Sequence, residues 1–416
     1  MIRNLFNGLR RQEQITFAAL CLTLVAIAFW WRIGIIAIAI LSLASLTKTI
    51  TLRPLRPQLS TPQKICLWSM VAYGILYVIS ALISANQTEG WFKAGLKAWF
   101  ILLPAICLIG DTSYITKERI RALFQVFTAA LLVRFAICIV ISGIQFLQGT
   151  PLEVVRNWEE DPIGMHHNYL ALYIDITIVF LYTQILNTPH EERRRKWPSL
   201  IIAALALLSY LTLVSSRSGI VALALAFVAA LAHLTFFRKQ YKVAIITVSL
   251  AVVLVAGLYI AVPSIFDRFI ALTTWTETYY PDDRVLAWEC GAKATRGHLL
   301  FGYGSGDYMP HLVNAFEQRG YTRAIDIGYN THNEYIETIL QTGLLGLAML
   351  LFMLFAPMVT ALCKNSRNLL TVLVIIIISS LCVFEAMLNR QMGTQFIALA
   401  YCLLIISMRP SQNVAS

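Results

Sequence analysis

Charged residues are scarce in this chain. Asp, Glu, Lys and Arg make up 13% of its 416 residues, whereas about 25% is usual in a soluble globular protein. No polar segment is long enough to form a second soluble core, because apolar runs are spread from residue 15 to residue 408. Hydrophobic residues account for 58% of the chain, and the mean hydropathy is +0.68. These values exclude an ordinary soluble protein and predict one polytopic membrane domain over residues 1–416.

Disulfide, nucleotide and metal signatures are missing as well. Only Cys290 of the 8 cysteines falls in a polar loop, so no disulfide framework is predicted. The sequence contains neither G-x-x-x-x-G-K-[ST] nor a strand-linked G-x-G-x-x-G. Acidic and histidine residues between 153 and 167 could bind a metal, but their spacing matches no recognised site. We therefore expect no cofactor and no metal.

What the sequence does contain is a series of long apolar runs. A spanning helix needs roughly 20 apolar residues, and we predict about twelve transmembrane helices in an all-α integral membrane protein. The predicted spans are about 15–31, 33–47, 65–85, 94–110, 121–147, 168–187, 199–215, 218–237, 242–262, 334–361, 369–386 and 393–408.

Basic residues are unevenly divided between the two sides of this map. With the N-terminus inside, the short inner segments hold 20 Lys and Arg residues and the short outer loops hold five. Because Lys and Arg are retained in the cytoplasm, both ends are predicted to be cytoplasmic; joining the first two runs into a re-entrant hairpin would keep this parity. The net charge of +11 then indicates contact with anionic membrane lipids and not with nucleic acid.

One long outer loop, residues 263–333, is the only sizeable polar segment. It is predicted to contain short helices at about 284–299 and 307–319, separated by a glycine-rich turn at 301–306. A loop of this length is usually functional or disordered. Its aromatic residues and helical periodicity favour an ordered, functional loop.

Four basic side chains collect on the outer side of the map: Arg217, Arg284, His332 and Arg390. For any one of these arginines a simpler interpretation exists: its side chain extends to the lipid headgroups. Together they suit a pyrophosphate, because guanidinium groups match phosphate oxygens in fixed geometry and stabilise a departing diphosphate. An outward-facing site also favours an energy-rich lipid donor over nucleotides.

His332 is a candidate general base at the start of the tenth span. The polar residues that follow it, Asn333, Glu334 and Tyr335, are candidate substrate contacts, and Glu334 or Glu337 could replace His332 as base. His167, at the start of the sixth span, is a further candidate contact. Charges within the apolar runs are expected to pair internally, because an unpaired charge in a membrane costs several kcal/mol. These embedded residues are Lys97, Arg134, Asp175 and Glu385.

Several of these residues resemble the motifs of the bacterial O-antigen ligases. His332-Asn333, nine residues and then Gly343-Leu344-Leu345-Gly346 match the family pattern H-[NSQ]-x9-G-x-x-[GTY]. Arg217 and Val221 resemble the R-x3-L motif, with valine in place of leucine, and Arg284 resembles the second family arginine. The resemblance covers about residues 160–395.

The resemblance implies a C-type glycosyltransferase-like membrane enzyme. Members of the O-antigen ligase family move a glycan from undecaprenyl pyrophosphate to lipid A-core oligosaccharide at the periplasmic face of the bacterial inner membrane, without metal or nucleotide. Arg217 and Arg284 would hold the donor pyrophosphate, and His332 would act near the acceptor hydroxyl. These inferences predict an inverting O-antigen ligase of lipopolysaccharide biosynthesis.

Two kinds of alternative stay open. O-antigen polymerases and protein O-oligosaccharyltransferases share the arginine, histidine and glycine pattern and use the same donor. A polytopic lipid or polysaccharide transporter is the alternative from another class, since it also has about twelve spans. Transporters tend to have repeated halves and polar sites near the midplane, whereas the polar groups here gather at one interface.

Overall fold

Helices make up the fold of this protein. The computed structural model describes residues 5–52, 59–108, 111–151, 158, 160–249, 283–363 and 368–408. Within these ranges there is no β-strand, only an isolated bridge between Glu160 and His166. We number the helices as α1 Arg11–Phe29, α2 Trp31–Leu52, α3 Thr61–Ile83, α4 Gln87–Lys97, α5 Trp99–Leu108, α6 Lys117–Leu147, α7 His167–Asn187, α8 Arg193–Leu213, α9 Arg217–Ala232, α10 Asp283–Ala294, α11 Tyr308–Arg319, α12 Thr322–Asp326, α13 Glu334–Cys363, α14 Leu369–Phe384 and α15 Gln391–Ser407.

Nine helical segments of the described chain are long and apolar enough to cross a membrane. Two more apolar helices, α14 and α15, are shorter. The first two predicted spans form two helices, α1 and α2, each long and apolar enough to cross a membrane. Residues 241–249 are helical, but the rest of the predicted span 242–262, like residues 263–282 of the predicted outer loop, lies outside the described residues. The described part of the chain is thus all-helical, as expected of an integral membrane protein, while the number twelve stays a prediction.

Two predicted boundaries and the continuity of one predicted span need correction. The fourth span begins at Gln87 and not near residue 94, because a weakly apolar helix, α4, precedes α5. The first loop helix ends at Ala294 instead of 299, since Gly297 has a left-handed φ of 93°. Helix α13 begins as predicted but is interrupted at Gly343, where φ is 70° and ψ is −165°.

Helix α7 forms the centre of the bundle. Every residue from Asn168 to Leu181 is buried, as expected of a helix that is apolar on all sides. It packs against α8, α9 and α14, and α9 also packs against α14. The first residues of α7 and α9 and the last residues of α14 therefore meet at one end of the bundle. We call this end, which contains His166, Ser216 and Glu385, the site face.

A buried ion pair ties four parts of the chain together. Arg134 Nη2 lies 2.6 Å from Asp161 Oδ1, and both side chains are 0% exposed. Arg134 also donates to the carbonyl oxygen of Ala28 at the end of α1, and Asp161 accepts from the Tyr210 hydroxyl of α8. The predicted internal pairing of Arg134 is thereby confirmed. For Asp175 it is not, because neither carboxylate oxygen has a hydrogen-bond partner among the described residues.

Breaking this pair is expected to destabilise the bundle. Removing one partner of a buried pair costs about 3–5 kcal/mol, because the other charge stays buried. Arg134→Leu and Asp161→Asn should each lower the unfolding temperature in detergent, and the double variant should lose less than the sum of the two. Lys196→Ala, in the exposed pair with Glu192, is the matched control and should change little. Equal effects of all three single variants would contradict this role.

Candidate functional site

His332 lies at the site face, held in a strained backbone conformation. Its φ of 46° is in the left-handed region, which is uncommon for a residue with a side chain. Its backbone N–H donates to Asn330 Oδ1 over 2.8 Å, and its carbonyl oxygen accepts from Trp288 Nε1 of α10. The imidazole ring is 4.2 Å from the ring of Tyr329, and the side chain is 18% exposed. The ring is therefore fixed in position while part of it remains accessible.

Glu385, the residue after α14, is the partner of this imidazole. Its Oε2 lies 3.2 Å from His332 Nδ1 and accepts a 2.8 Å hydrogen bond from Asn168 Nδ2. Burial alone would raise the pKa of the Glu385 carboxyl, but the hydrogen bond and charge of His332, with the charge of His166, lower that pKa to about 2. This lowered pKa favours the carboxylate form of Glu385. Its predicted internal pairing is confirmed.

Asn168 extends the network to the hairpin before α9. Its Oδ1 accepts hydrogen bonds from the hydroxyls of Ser216, 3.1 Å away, and Ser218, 2.8 Å away. Ser216 also caps α9, because its Oγ accepts from the N–H of Gly219. Arg217 is the first residue of the helix that this network fixes. Hydrogen bonds therefore run without interruption from His332 through Glu385 and Asn168 to the serines that flank Arg217.

The other predicted cationic residues lie around this network. Arg284 is in the first turn of α10, one turn before Trp288, so the two side chains lie on neighbouring positions of one helix face. Arg390 follows the short 3-10 turn after Glu385 and is exposed. His167 stacks on His166 with 4.2 Å between ring centroids. Hydrogen bonds thus connect His332 to the serines on either side of Arg217, and Trp288 of α10 donates to the carbonyl oxygen of His332.

The acidic residues after His332 have other partners. Glu334 is 0% exposed, pairs with Lys97 Nζ at 3.2 Å and accepts from the N–H of Leu388. Glu337 is also fully buried, and its two oxygens accept four hydrogen bonds at 3.2 Å or less, from the Tyr308 hydroxyl, Asn389 Nδ2 and the N–H and hydroxyl of Thr331. These carboxylates brace the start of α13. The alternative that one of them acts as base, and the expected substrate contact of Glu334, do not fit this burial.

Asn333 and Tyr335 also make contacts within the protein. Asn333 Oδ1 caps α13 by accepting from the N–H groups of Tyr335 and Ile336, and the Tyr335 hydroxyl donates to the carbonyl oxygen of Ser379 on α14. Substrate contact by these two residues stays a prediction. The described part of the chain holds no group of three or more His, Cys, Asp or Glu side chains placed to bind a metal ion.

Protonation of His166 makes the stability of the folded protein depend on pH. Burial and the neighbouring His167 lower the pKa of His166 to about 4. A histidine in the unfolded chain has a pKa of about 6.5, so the unfolded state binds more protons than the folded state between these values. Stability is therefore fully present above pH 6.5 and is lost as the pH falls toward 4.

Removing this histidine should reduce the acid sensitivity. His166→Asn keeps a residue that caps helices well but cannot be protonated. We expect its unfolding temperature in detergent to fall less than that of the wild type between pH 7.5 and 4.5. His190→Asn, in an exposed position at the other end of α7, is the control and should behave like the wild type. An identical pH slope in His166→Asn would contradict the assignment.

Part of this chain resembles a known protein family. The family model described as O-antigen ligase matches residues 201–351. This segment of the chain is therefore similar to the O-antigen ligase family. The match contains Arg217, Arg284, His332 and Gly343, and it confirms the family resemblance seen in the sequence. Members of the O-antigen ligase family are glycosyltransferase-type enzymes, either ligases or polymerases. No curated protein matches the chain.

Asn168 and Glu385, which link the network, lie outside the segment that matches the O-antigen ligase family. Neither residue is predicted from the sequence to belong to the site. A signal was available, since each is a polar residue at the end of an apolar run. Their contact could not be inferred, because 217 residues separate them along the chain.

Proposed function

We propose that this protein is an O-antigen ligase that transfers a glycan from undecaprenyl pyrophosphate to lipid A-core oligosaccharide. The observation that carries the proposal is the hydrogen-bonded network that joins His332 to the first turn of α9 through Glu385 and Asn168. A candidate base and a candidate phosphate-binding arginine are thereby held in one rigid unit. Transfer would take place at the periplasmic face of the inner membrane.

Arg217, Arg284 and Arg390 would bind the donor pyrophosphate. Arg217 begins α9, so a phosphate beside its guanidinium would also lie near the positive end of the helix and its free N–H groups. The arginines would be needed most as the diphosphate leaves, since charge develops on it at that point. Stabilisation that increases in the transition state raises the rate of transfer and not only the affinity.

His332 would remove the proton of the acceptor hydroxyl. With Nδ1 directed to Glu385, the other ring nitrogen, Nε2, is left to accept this proton, and the carboxylate stabilises the imidazolium that forms. The acceptor oxygen then bonds to the anomeric carbon while the bond from that carbon to the pyrophosphate oxygen breaks. The proton stays on His332 and the leaving electron pair on the diphosphate. A single displacement of this kind inverts the anomeric centre.

Chemical analysis of the product tests the proposal. Purified protein in lipid nanodiscs would be incubated with lipid-linked glycan and lipid A-core, with a chelator and without nucleotide, beside a His332→Ala control. We expect lipid A-core that carries the glycan, with inverted linkage, only with the wild type. Lengthened lipid-linked glycan would identify a polymerase, and glycan on added protein a protein oligosaccharyltransferase. Absence of every product would reject the proposed activity.

A further inference from the structure

The loop of residues 298–304, between α10 and α11, is inserted into the interruption of α13. Leu344 N–H donates to the carbonyl oxygen of Leu299 over 2.7 Å. In the opposite direction, Tyr303 N–H donates to the carbonyl oxygen of Leu340 over 2.8 Å. A broken helix leaves backbone groups without partners, and this loop satisfies them. The loop and α13 are therefore one structural unit.

Two glycines allow this close approach. A Cβ atom on Gly343 would lie 2.2 Å from the carbonyl oxygen of Leu300, and one on Gly302 would lie 2.7 Å from the nitrogen of Thr342. Both distances are too short for any side chain, so backbone packs directly on backbone. The level of the loop relative to a membrane is consequently set by the level of Gly343.

Gly343 lies where α13 changes from polar to apolar. Glu334, Glu337 and Gln341 precede it, whereas residues 344–363 contain no charged residue. About 20 such residues form a helix as long as the hydrocarbon layer is thick, roughly 30 Å. The segment after Gly343 is thus sufficient to span the membrane by itself, which places Gly343 at the edge of the hydrocarbon.

Helix α3 places the same loop at the same level. The N–H groups of Ser305 and Gly306, just after the loop, donate to the hydroxyls of Ser80 and Ser84 over 2.8 and 3.1 Å. These serines lie at the end of α3, a 23-residue candidate span. Ile83, beside them, is 76% exposed in the protein, as expected of a side chain that faces lipid. Contacts with two candidate spanning helices, α13 and α3, therefore place the loop at the same level.

At this level the loop exposes three consecutive apolar side chains. Leu299, Leu300 and Phe301 are 46%, 66% and 73% exposed, and they line an open concavity of about 400 Å³. Leu344 and Leu345 of α13, which pair with the loop backbone, are also exposed and continue the apolar surface. Exposed to water, such an apolar patch would favour aggregation. It is continuous with the lipid-facing surface of the spanning helices.

We propose that residues 298–302 dip into the membrane, with Leu299, Leu300 and Phe301 in contact with the acyl chains of the leaflet at the site face. The loop that joins α10 to α11 would then anchor this outer segment to lipid as well as to α13. The proposal rests on membrane level and apolar exposure, and it does not depend on which glycan or acceptor the protein uses.

Photochemical crosslinking from defined positions tests this proposal. The full-length protein would carry p-benzoylphenylalanine in place of Phe301 or, as a second position, Leu300, and would be reconstituted in vesicles of phosphatidylethanolamine and phosphatidylglycerol. The same label in place of Leu345 on α13 is the lipid-facing control, and in place of Gln318, an exposed polar residue of α11, the water-facing control. Mass spectrometry of the labelled peptides measures the fraction joined to phospholipid.

We expect phospholipid adducts at 300 or 301 in a yield similar to that at 345 and at least about fivefold above that at 318. A yield at both loop positions no higher than at 318 would overturn the proposal. Crosslinks from the loop to a second copy of the chain in place of lipid would overturn it too, because the patch would then be a protein interface. Neither readout requires glycan transfer, so failure here is distinguishable from failure of the proposed activity.

Discussion

His332→Ala is expected to slow glycan transfer by roughly 10²- to 10⁴-fold, the usual contribution of a general base, and Glu385→Gln to reproduce most of that loss. The carboxylate lies 3.2 Å from His332 Nδ1 and has a pKa lowered to about 2. An ionised partner keeps the proton on Nδ1 and stabilises the imidazolium. A neutral carboxamide can keep the ring in place but supplies no charge.

The losses of transfer rate caused by His332→Ala and Glu385→Gln should not be additive. If Glu385 acts only through the imidazole, removing it from an enzyme that already lacks His332 has little left to affect, so the double variant should resemble His332→Ala. Initial rates at several acceptor concentrations separate kcat from KM, and the loss is expected in kcat. Glu385→Asp, which keeps the charge, should recover part of the activity.

Glu289→Gln on α10 is the matched control. It removes an exposed carboxylate that pairs with Lys293, and it should transfer glycan like the wild type. Additive losses in the double variant, or full activity of Glu385→Gln, would show that Glu385 does not act through His332.

The membrane helices could be predicted from the sequence because length and apolar composition alone define them. The interruption of α13 could not, although Gly343 belongs to the motif that carries the family resemblance. Its cause is the loop of residues 298–304, which supplies replacement hydrogen bonds, and such pairing between distant segments leaves no trace in local hydropathy. The early start of the fourth span was missed for a similar reason, since α4 is held by packing on α3 and not by apolar composition.

The cationic candidate residues could be singled out from the sequence, whereas the hydrogen-bonded network beside them could not. Arginines and a histidine at an interface are conspicuous against an apolar background. Glu334 is equally conspicuous, and the sequence predicts that it contacts substrate. Its pairing with Lys97 cannot be inferred, because Lys97 lies 237 residues away in the sequence. A carboxylate that stabilises the start of a helix and one that pairs with a candidate base have the same appearance in sequence, and only the fold separates Glu334 from Glu385.

Arg217→Ala and Arg284→Ala are each expected to slow transfer by roughly 10²- to 10³-fold, the usual cost of losing one donor to a developing negative charge. Arg217→Lys should fall between Ala and the wild type. Lysine keeps the charge but lacks the planar pair of donors that matches two phosphate oxygens. The unfolding temperature of each variant in detergent separates a loss of transfer from a loss of folding.

Arg296→Ala separates pyrophosphate binding from a general effect of positive charge. Arg296 is an exposed arginine in the turn after α10 and lies outside the network at His332, so its loss should leave transfer unchanged. Inhibition by free undecaprenyl pyrophosphate supplies a second measurement. Its inhibition constant should rise in Arg217→Ala and Arg284→Ala, because the arginines bind the diphosphate. It should stay the same in His332→Ala, because the imidazole accepts the proton of the acceptor hydroxyl. Equal weakening in all three variants would mean that the donor and acceptor roles are not divided between these residues.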